Sequence, residues 1–473
     1  MGTQASTDAP AGTGRTFDHH GGGHPRGIDA VPRSVSHEGR YGRLFRALPP
    51  FSPSDADLAA LSDSMGDSPA GAAGDNPDIP AGYTYLGQFV DHDITFDPAS
   101  SHDRLHDPDA HQNFRTPRFD LDSLYGSGRV DSPFLYDQDD DGKLLVGRNT
   151  GPHDEPVDLP RNQQGRALIG DPRNDVHVIV SQLHLAFIHF HNAVVDHLRM
   201  QFFPDDELFA EARRLTCWHY QWVVIEDHLR RLVGPKVLDS VLVRDAAGSA
   251  SAKLAYFSWK SAPFMPVEFS GACYRFGHSM VRDAYRINDV TDPLPILTDI
   301  RTPHPLQHLG GFRPLPKTWT VQWKHFFPLA LAAPQSSRRI DTKLSGPMRQ
   351  LPQNIDMDRR SLALLNMLRG KSLGLPSGQA VAKAMGTSVP DRDLGLSGEV
   401  PLWYYVLREA EKLGHGTHLG PTGGRLVAEV IVGLLQADPA SFLRVAPKWK
   451  PELPGAEPGR FTMVDLLRFA GVA

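Results

Sequence analysis

The chain has 473 residues, enough for a large buried core, and its 40% hydrophobic and 22% charged content is that of a folded globular protein. With 49 Lys and Arg against 55 Asp and Glu, its net charge of −6 excludes the basic excess of a nucleic-acid or anionic-membrane binder and leaves small molecules as the expected partners. The two cysteines, Cys217 and Cys273, fit neither a Cys-x-x-Cys-His attachment nor a zinc pattern, so no disulfide framework is expected.

Residues 1–35 are rich in Gly, His, Asp, Thr and Pro without an apolar period, and they read as a disordered or draped arm. His19, His20 and His24 belong to that polar tail rather than to a metal clip. No basic segment followed by an apolar run opens it, and no later window reaches about 18 uninterrupted apolar residues, so a soluble cytoplasmic protein is expected. No linker divides residues 36–473, which are expected to form one catalytic domain. After a turn-rich stretch at 66–80 comes Tyr85-Leu86-Gly87-Gln88-Phe89-Val90-Asp91-His92-Asp93. Gln88, Asp91 and His92 stand there at i, i+3 and i+4, so a helix presents an amide, a carboxylate and an imidazole on one face of one turn. Such a trio can take up a proton, orient a small polar ligand and anchor a group covalently.

Thr116-Pro117-Arg118-Phe119-Asp120-Leu121-Asp122-Ser123 offers alternating oxygens that suit a hard cation with about six to eight ligands; the simpler reading is an Asp-rich turn with capping carboxylates. Asp137-Gln138-Asp139-Asp140-Asp141-Gly142 opens like a calcium-binding helix-loop-helix, but Arg148 stands at the twelfth position and the flanks at 134–136 and 143–146 look like strands, so it reads as a hairpin turn. Asp171-Pro172 is an N-cap with proline at the first helical position. Val176, Ile179, Val180, Leu183, Phe187, Phe190 and Val194 then form one apolar stripe, which predicts a buried helix over 172–199 with Arg173 in its first turn. His177, His184, His189 and His191 read as packed or capping residues of that helix. Segments 208–232, 401–412 and 423–437 also read as helices, strand signals are few, and the predicted class is mainly α. Between these helices lie Tyr274-Arg275-Phe276-Gly277-His278-Ser279 and Asn366-Met367-Leu368-Arg369 with Gly374-Leu375-Pro376.

These segments, in this order and spread over about 40–440, resemble the animal-type haem peroxidases of the peroxidase-cyclooxygenase superfamily. Gly87 to Asp93 resembles the distal Gly-Gln-x-x-Asp-His-Asp, Gly170-Asp171-Pro172-Arg173 the Gly-Asp-x-Arg segment, Tyr274 to His278 the proximal Tyr-Arg-Phe-Gly-His, and 116–126 the calcium loop. The resemblance, to a member of bacterial type, implies an animal haem peroxidase-like fold with haem b in a central helical core. It implies His92 as the base that moves a peroxide proton, Arg173 as the cation that stabilises charge as the O–O bond breaks, and Gln88 beside them. His278 would be the axial iron ligand with Asn366 accepting from its other nitrogen, and Arg275 and Arg369 would meet the haem propionates. Calcium would bind Asp93, Thr116, the Arg118 carbonyl, Asp120 and Asp122, the last standing where the family often has serine.

The family commonly carries a haem-linking glutamate three residues after the distal arginine. Here that residue is Val176, which has no oxygen to link, and His177 follows it. An ester through Asp91 alone, or no covalent link, is therefore expected. Arg275 occupies the position at which cyclooxygenase-type members carry a radical-forming tyrosine, which favours a peroxidase over a lipid dioxygenase. The expected activity is oxidation of small organic donors or halides by hydrogen peroxide through a ferryl intermediate. Two alternatives stand beside it, a tailoring oxygenase or coupling enzyme acting on one metabolite and a non-catalytic haem-binding protein. Retention of His92, Arg173 and Gln88 argues against the latter.

Overall fold

Long apolar stripes become buried helices, and three of them fix the position of the Gln88-Asp91-His92 face. A computed structural model describes residues 41–66, 71–95, 117–148, 157–260, 262–297, 305–316, 318–351 and 361–473. The expected arm at 1–35, with its histidines, and Thr116 lie outside the described residues. Helix α1 (Gly82–Ile94) carries the trio, α2 is Val178–Met200 and α3 is Asp205–Trp222. Phe89 of α1 stacks on Phe187 of α2 with ring centroids 4.6 Å apart, and Tyr220 of α3 meets both rings edge-on at 6.1 and 5.5 Å. Such pairs each add about 0.5–1.5 kcal/mol beyond their area burial, so the three helices are locked at one place. The first residue of α1 is glycine because the Phe327 ring occupies the space: a Cβ on Gly82 would lie 2.4 Å from it.

Helix α4 (Leu362–Ser372), α5 (Leu402–Leu413) and α6 (Pro421–Ala437) follow, the last two within two residues of the predicted spans. One hydrophobic cluster extends from Leu58 to Ala470. Among the described residues the strands form only two-stranded pairs: 41–42 with 265–266, 75–80 with 336–338, 242–244 with 250–252, and 284–285 with 294–295. The class is mainly α, as predicted. Helix α2 is long and apolar enough to cross a membrane by length and composition, but 83% of its most apolar window is buried within the protein, as in a core helix.

Three elements differ from their sequence reading. The helix predicted from 172 is a 3-10 turn over Pro172–Asp175, capped by Asp171, followed by a break and then α2. Backbone pairing with 309–312 competes for the break: Val178 N–H donates to Leu309 O, Gly311 N–H to Val176 O and Phe312 N–H to Asp175 O at 2.7–2.9 Å. Gly311 permits this approach, since a Cβ there would lie 1.9 Å from the Asp175 carbonyl oxygen. The predicted helix over 208–232 contains a π-helical stretch at Val223–Leu229, a distortion often associated with functional sites. The strand pair around 134–146 reduces to the single bridge Tyr136–Leu144, because Pro133 starts a 3-10 turn instead. The hairpin reading of 137–142 agrees with that bridge: Arg199 grips Asp140 at 2.6 and 2.7 Å and holds its carboxyl down at about 2.

Candidate functional site

A cavity of about 430 Å³ is lined by both α1 and the 3-10 stretch Cys273–Met280, which also pack against each other. Gln88, Asp91 and His92 reach it from α1 and Arg275 and His278 from the 3-10 stretch, with Val176 and His177 also in the wall. A smaller cavity of about 80 Å³ shares Asp91 and Arg275 and adds Arg173 and Arg369. The sequence candidates thus converge, with Arg173 and Arg369 placed in the wall of the smaller space.

His92 is buried near the end of α1, and its Nδ1 donates to Asn174 Oδ1 at 2.7 Å. Asn174 cannot turn over freely, because its Nδ2 lies 3.0 Å from His184 Nδ1. The proton is therefore held on Nδ1 and the lone pair on Nε2, the form a general base requires. Burial, and then the nearby Arg173 charge, lower the His92 imidazole to about 4, so it is neutral at pH 7.

Arg173 grips the buried Asp171 carboxylate at 2.7 Å and donates to the His92 carbonyl at 2.8 Å and to the Thr95 carbonyl. Those carbonyls terminate α1, so the guanidinium satisfies the helix end and complements its dipole. It thereby ties the His92 backbone to the 3-10 turn.

In the 3-10 stretch His278 Nδ1 lies 2.9 Å from Asn366 Nδ2 of α4. A lone pair on Nε2 requires the hydrogen on Nδ1. The carboxamide supplies the matching acceptor once its oxygen is turned to the ring. Burial, then Arg275 and Arg369, lower His278 to about 3 and keep it neutral. Arg275 is oriented by its Nε–H to Ser270 O at 2.8 Å, and Trp403 donates to its backbone carbonyl at 3.1 Å. Arg275, Arg369 and Arg173 line the smaller cavity with Asp91, and Asp91 and Arg275 also line the larger one that holds the histidines.

Asp93, Asp120 and Asp122 bring carboxylate oxygens within 4.8 Å of one another, directly behind His92. Asp93 is fully buried, and burial followed by the charge of Asp122 pushes Asp120 up to about 7. Such a cluster is an oxygen-ligand set for a hard cation. The side chain of Arg118 reaches Asp438 at 3.8 Å.

Sequence reasoning missed the roles of Asn174, His184 and His228. The first two orient His92, and the signal was available: a base needs an acceptor for its other nitrogen, and Asn174 adjoins Arg173. His228, in the π-helical stretch, stacks on Tyr83, and its Nε2 lies 3.3 Å from the Tyr274 hydroxyl at the cavity wall. No local pattern marks it. His177, read as a capping or packed residue, does cap α2, accepting from Val180 N–H at 3.2 Å, and its Nε2 also lies 2.8 Å from Gln88 Oε1.

Residues 100–400 match a family described as animal haem peroxidase. Among curated proteins the chain is 22% identical to peroxidasin of Drosophila melanogaster over 283 residues, 58% of this chain and 17% of that protein. It is 26% identical to eosinophil peroxidase of Mus musculus over 266 residues, 54% of this chain and 34% of that protein. The matched segments thus cover about a third or less of those relatives. Among solved structures, peroxidase A of Dictyostelium discoideum shares the fold with a TM-score of 0.59 at 13% identity, over 86% of this chain and 89% of that one. A fatty acid alpha-dioxygenase of Arabidopsis thaliana does so with a TM-score of 0.56 at 17% identity, over 89% of this chain and 74% of that one.

The buried imidazoles make stability acid-sensitive. Burial lowers His92, His191 and His219 to about 4 and His177 and His228 to about 3. An unfolded chain takes up these protons near pH 6.5, whereas the folded chain resists until about pH 4. The stability they contribute is present above pH 6.5 and lost as pH falls toward the folded values, at about 2 kcal/mol per group by pH 5. Urea unfolding is expected to show a much lower midpoint at pH 5 than at pH 7; equal midpoints would contradict neutral burial.

Proposed function

The chain belongs to the animal haem peroxidase family, and on that premise we propose that it binds haem b between His92 and His278 and uses hydrogen peroxide to oxidise small organic donors or halides. The observation that carries this reading is a pair of neutral imidazoles lining one 430 Å³ cavity, His92 with its Nδ1 on Asn174 and His278 with its Nδ1 beside the Asn366 carboxamide. That volume lies in the usual range of cofactor sites, about 300–1,000 Å³. The donor set fits haem, with an imidazole for the iron and two guanidinium groups for the carboxylates. Haem supplies the redox chemistry when bound, and the protein supplies ligation, proton movement and access.

His278 Nε2 would hold the iron, with Asn366 setting the tautomer. Arg275 and Arg369 would receive the propionates at the edge they share with Asp91. His92 Nε2 takes a proton from the near oxygen of peroxide and returns it to the departing one, and its neutrality at pH 7 keeps it competent for the first transfer. Arg173 contributes positive charge to that end of the site while holding the His92 backbone. Asp91 is the carboxylate placed for a single ester, since Val176, also in the wall, has none to offer. Hydrogen peroxide and a small reductant are the partners of this reaction.

A second reading, a tailoring oxygenase or coupling enzyme acting on one metabolite, draws on the presence of Val176 and His177 in the cavity wall. It predicts reactivity with a defined molecule and little with general donors.

The haem-loaded protein is expected to change its Soret spectrum rapidly with one equivalent of hydrogen peroxide and to recover on addition of a phenol. His92→Ala should retain haem and slow the change by about 10²- to 10⁴-fold. Acid-solvent extraction of the treated sample should release haem unlinked or joined to the Asp91 peptide. A parent spectrum indifferent to peroxide would leave only a haem-binding protein.

Calcium is the cation proposed for Asp93, Asp120 and Asp122, with Thr116 and the Arg118 carbonyl completing the set. Bound there, it would offset the burial and the Asp122 charge that together raise Asp120, and hold the backbone beside His92. Metal analysis is expected to find about one calcium per chain, with Asp120→Ala lowering calcium content and thermal stability together. Protein free of calcium and an unaffected Asp120→Ala variant would remove the ion from this account.

A further inference from the structure

His177 stands where two hydrogen bonds meet, and their directions can be assigned. The ring nitrogen Nδ1 lies 3.2 Å from the backbone nitrogen of Val180, which can only donate. Val180 N–H is one of the orphan donors at the start of α2, and His177 is the residue that caps it. With its Nδ1 lone pair engaged, neutral His177 must carry its hydrogen on Nε2. That Nε2–H, at 2.8 Å, donates to Gln88 Oε1. The ring is fully enclosed, with Tyr85 edge-on at 5.0 Å, and burial lowers its basicity to about 3, so the neutral form persists across the working pH range. An amide whose oxygen is committed in this way must turn its nitrogen elsewhere. Gln88 Nε2 makes no hydrogen bond within the described residues, and Gln88 lines the cavity.

We propose that His177 is a positioning residue that fixes the polarity of Gln88, so that the wall above the haem position presents a donating amide N–H one helical turn from the accepting Nε2 of His92. This rests on the peroxidase reading and adds to it the rule by which the wall orients its ligand. The pair selects a small molecule with an acidic hydrogen on one atom and a lone pair on its neighbour. Hydrogen peroxide gives its O–H to His92 and accepts from Gln88 with the adjacent oxygen. With the amide reversed, the Gln88 carbonyl could only accept, so it would hold the second O–H of peroxide instead of its lone pair and would repel an anion such as cyanide. The same two-residue segment that lacks the ester-forming carboxylate at Val176 thus supplies, through His177, an orienting contact.

Two measurements test this, one without haem. In the apoprotein labelled with ¹⁵N in its histidine rings, the signal lost in His177→Asn belongs to His177. It is expected to be that of a neutral ring protonated on Nε2 at pH 6; an Nδ1–H tautomer or an imidazolium would overturn the proposal. In the haem-loaded protein, cyanide affinity is read from the Soret band, because hydrogen cyanide leaves its proton on the base while the bound anion accepts from the wall.

His177→Asn keeps an N-cap acceptor but is too short to reach Gln88, so its thermal midpoint should stay close to the parent value while cyanide binding weakens by about tenfold. Gln88→Leu should weaken it equally, and the double variant no further. Parental affinity in either single variant would overturn the proposal. A purely structural role for His177 would instead lower the midpoint and leave affinity unchanged, which also overturns it. Failure of the parent to take up haem would count against the peroxidase reading alone, and the apoprotein spectrum would still decide the orientation of His177.

Discussion

The hydrogen bond from His92 Nδ1 to Asn174 Oδ1, 2.7 Å long, is the contact on which the rest of the site depends. It joins the last turn of one helix to the 3-10 turn that precedes the next, across 82 residues of sequence. Two further contacts bind the same elements. Arg173 holds the terminal carbonyls of α1, and His177 reaches Gln88 a turn earlier. Three groups of one short segment, Arg173, Asn174 and His177, therefore address the same helix. His92 keeps its tautomer through Asn174, which is held in turn by His184. A buried network of this kind is strongly specifying only when every member is satisfied.

The break between the 3-10 turn and α2 makes this arrangement possible. Had the helix begun at Pro172 and continued without a break, His177 would lie within it instead of capping α2. Pairing of 175–178 with 309–312 draws the backbone into an extended conformation at His177, with φ −156° and ψ 161°. The cost of interrupting the helix is offset by three interstrand-type hydrogen bonds and by a cap. A glycine at 311 is the local condition for it.

Much of this was legible in the sequence. The stripe from Ile179 to Val194 and the spacing of Gln88, Asp91 and His92 follow from helical period alone, and the structure places the first on α2 and the second on α1. The convergence of His278 and Asn366, separated by 88 residues, was reached only through family resemblance, because no local rule brings them together. The break at Val176 was not legible. Its cause is a partner strand more than 130 residues away, and the Asp171-Pro172 cap, a genuine signal, capped a shorter element than expected. His228 was invisible for a related reason: the π-helical stretch that turns it toward Tyr274 departs from the 3.6-residue period on which such reading relies.

The central claim is that two oriented imidazoles enclose one haem and that His278 is its ligand. Titration of the apoprotein with haem, followed by the Soret and charge-transfer bands, tests it directly when the parent is compared with His278→Ala in the absence and presence of imidazole. The account predicts one haem per chain in the parent, loss of stable binding or an altered spin state in the variant, and recovery with imidazole. A variant whose spectrum and stoichiometry match the parent without imidazole would contradict it.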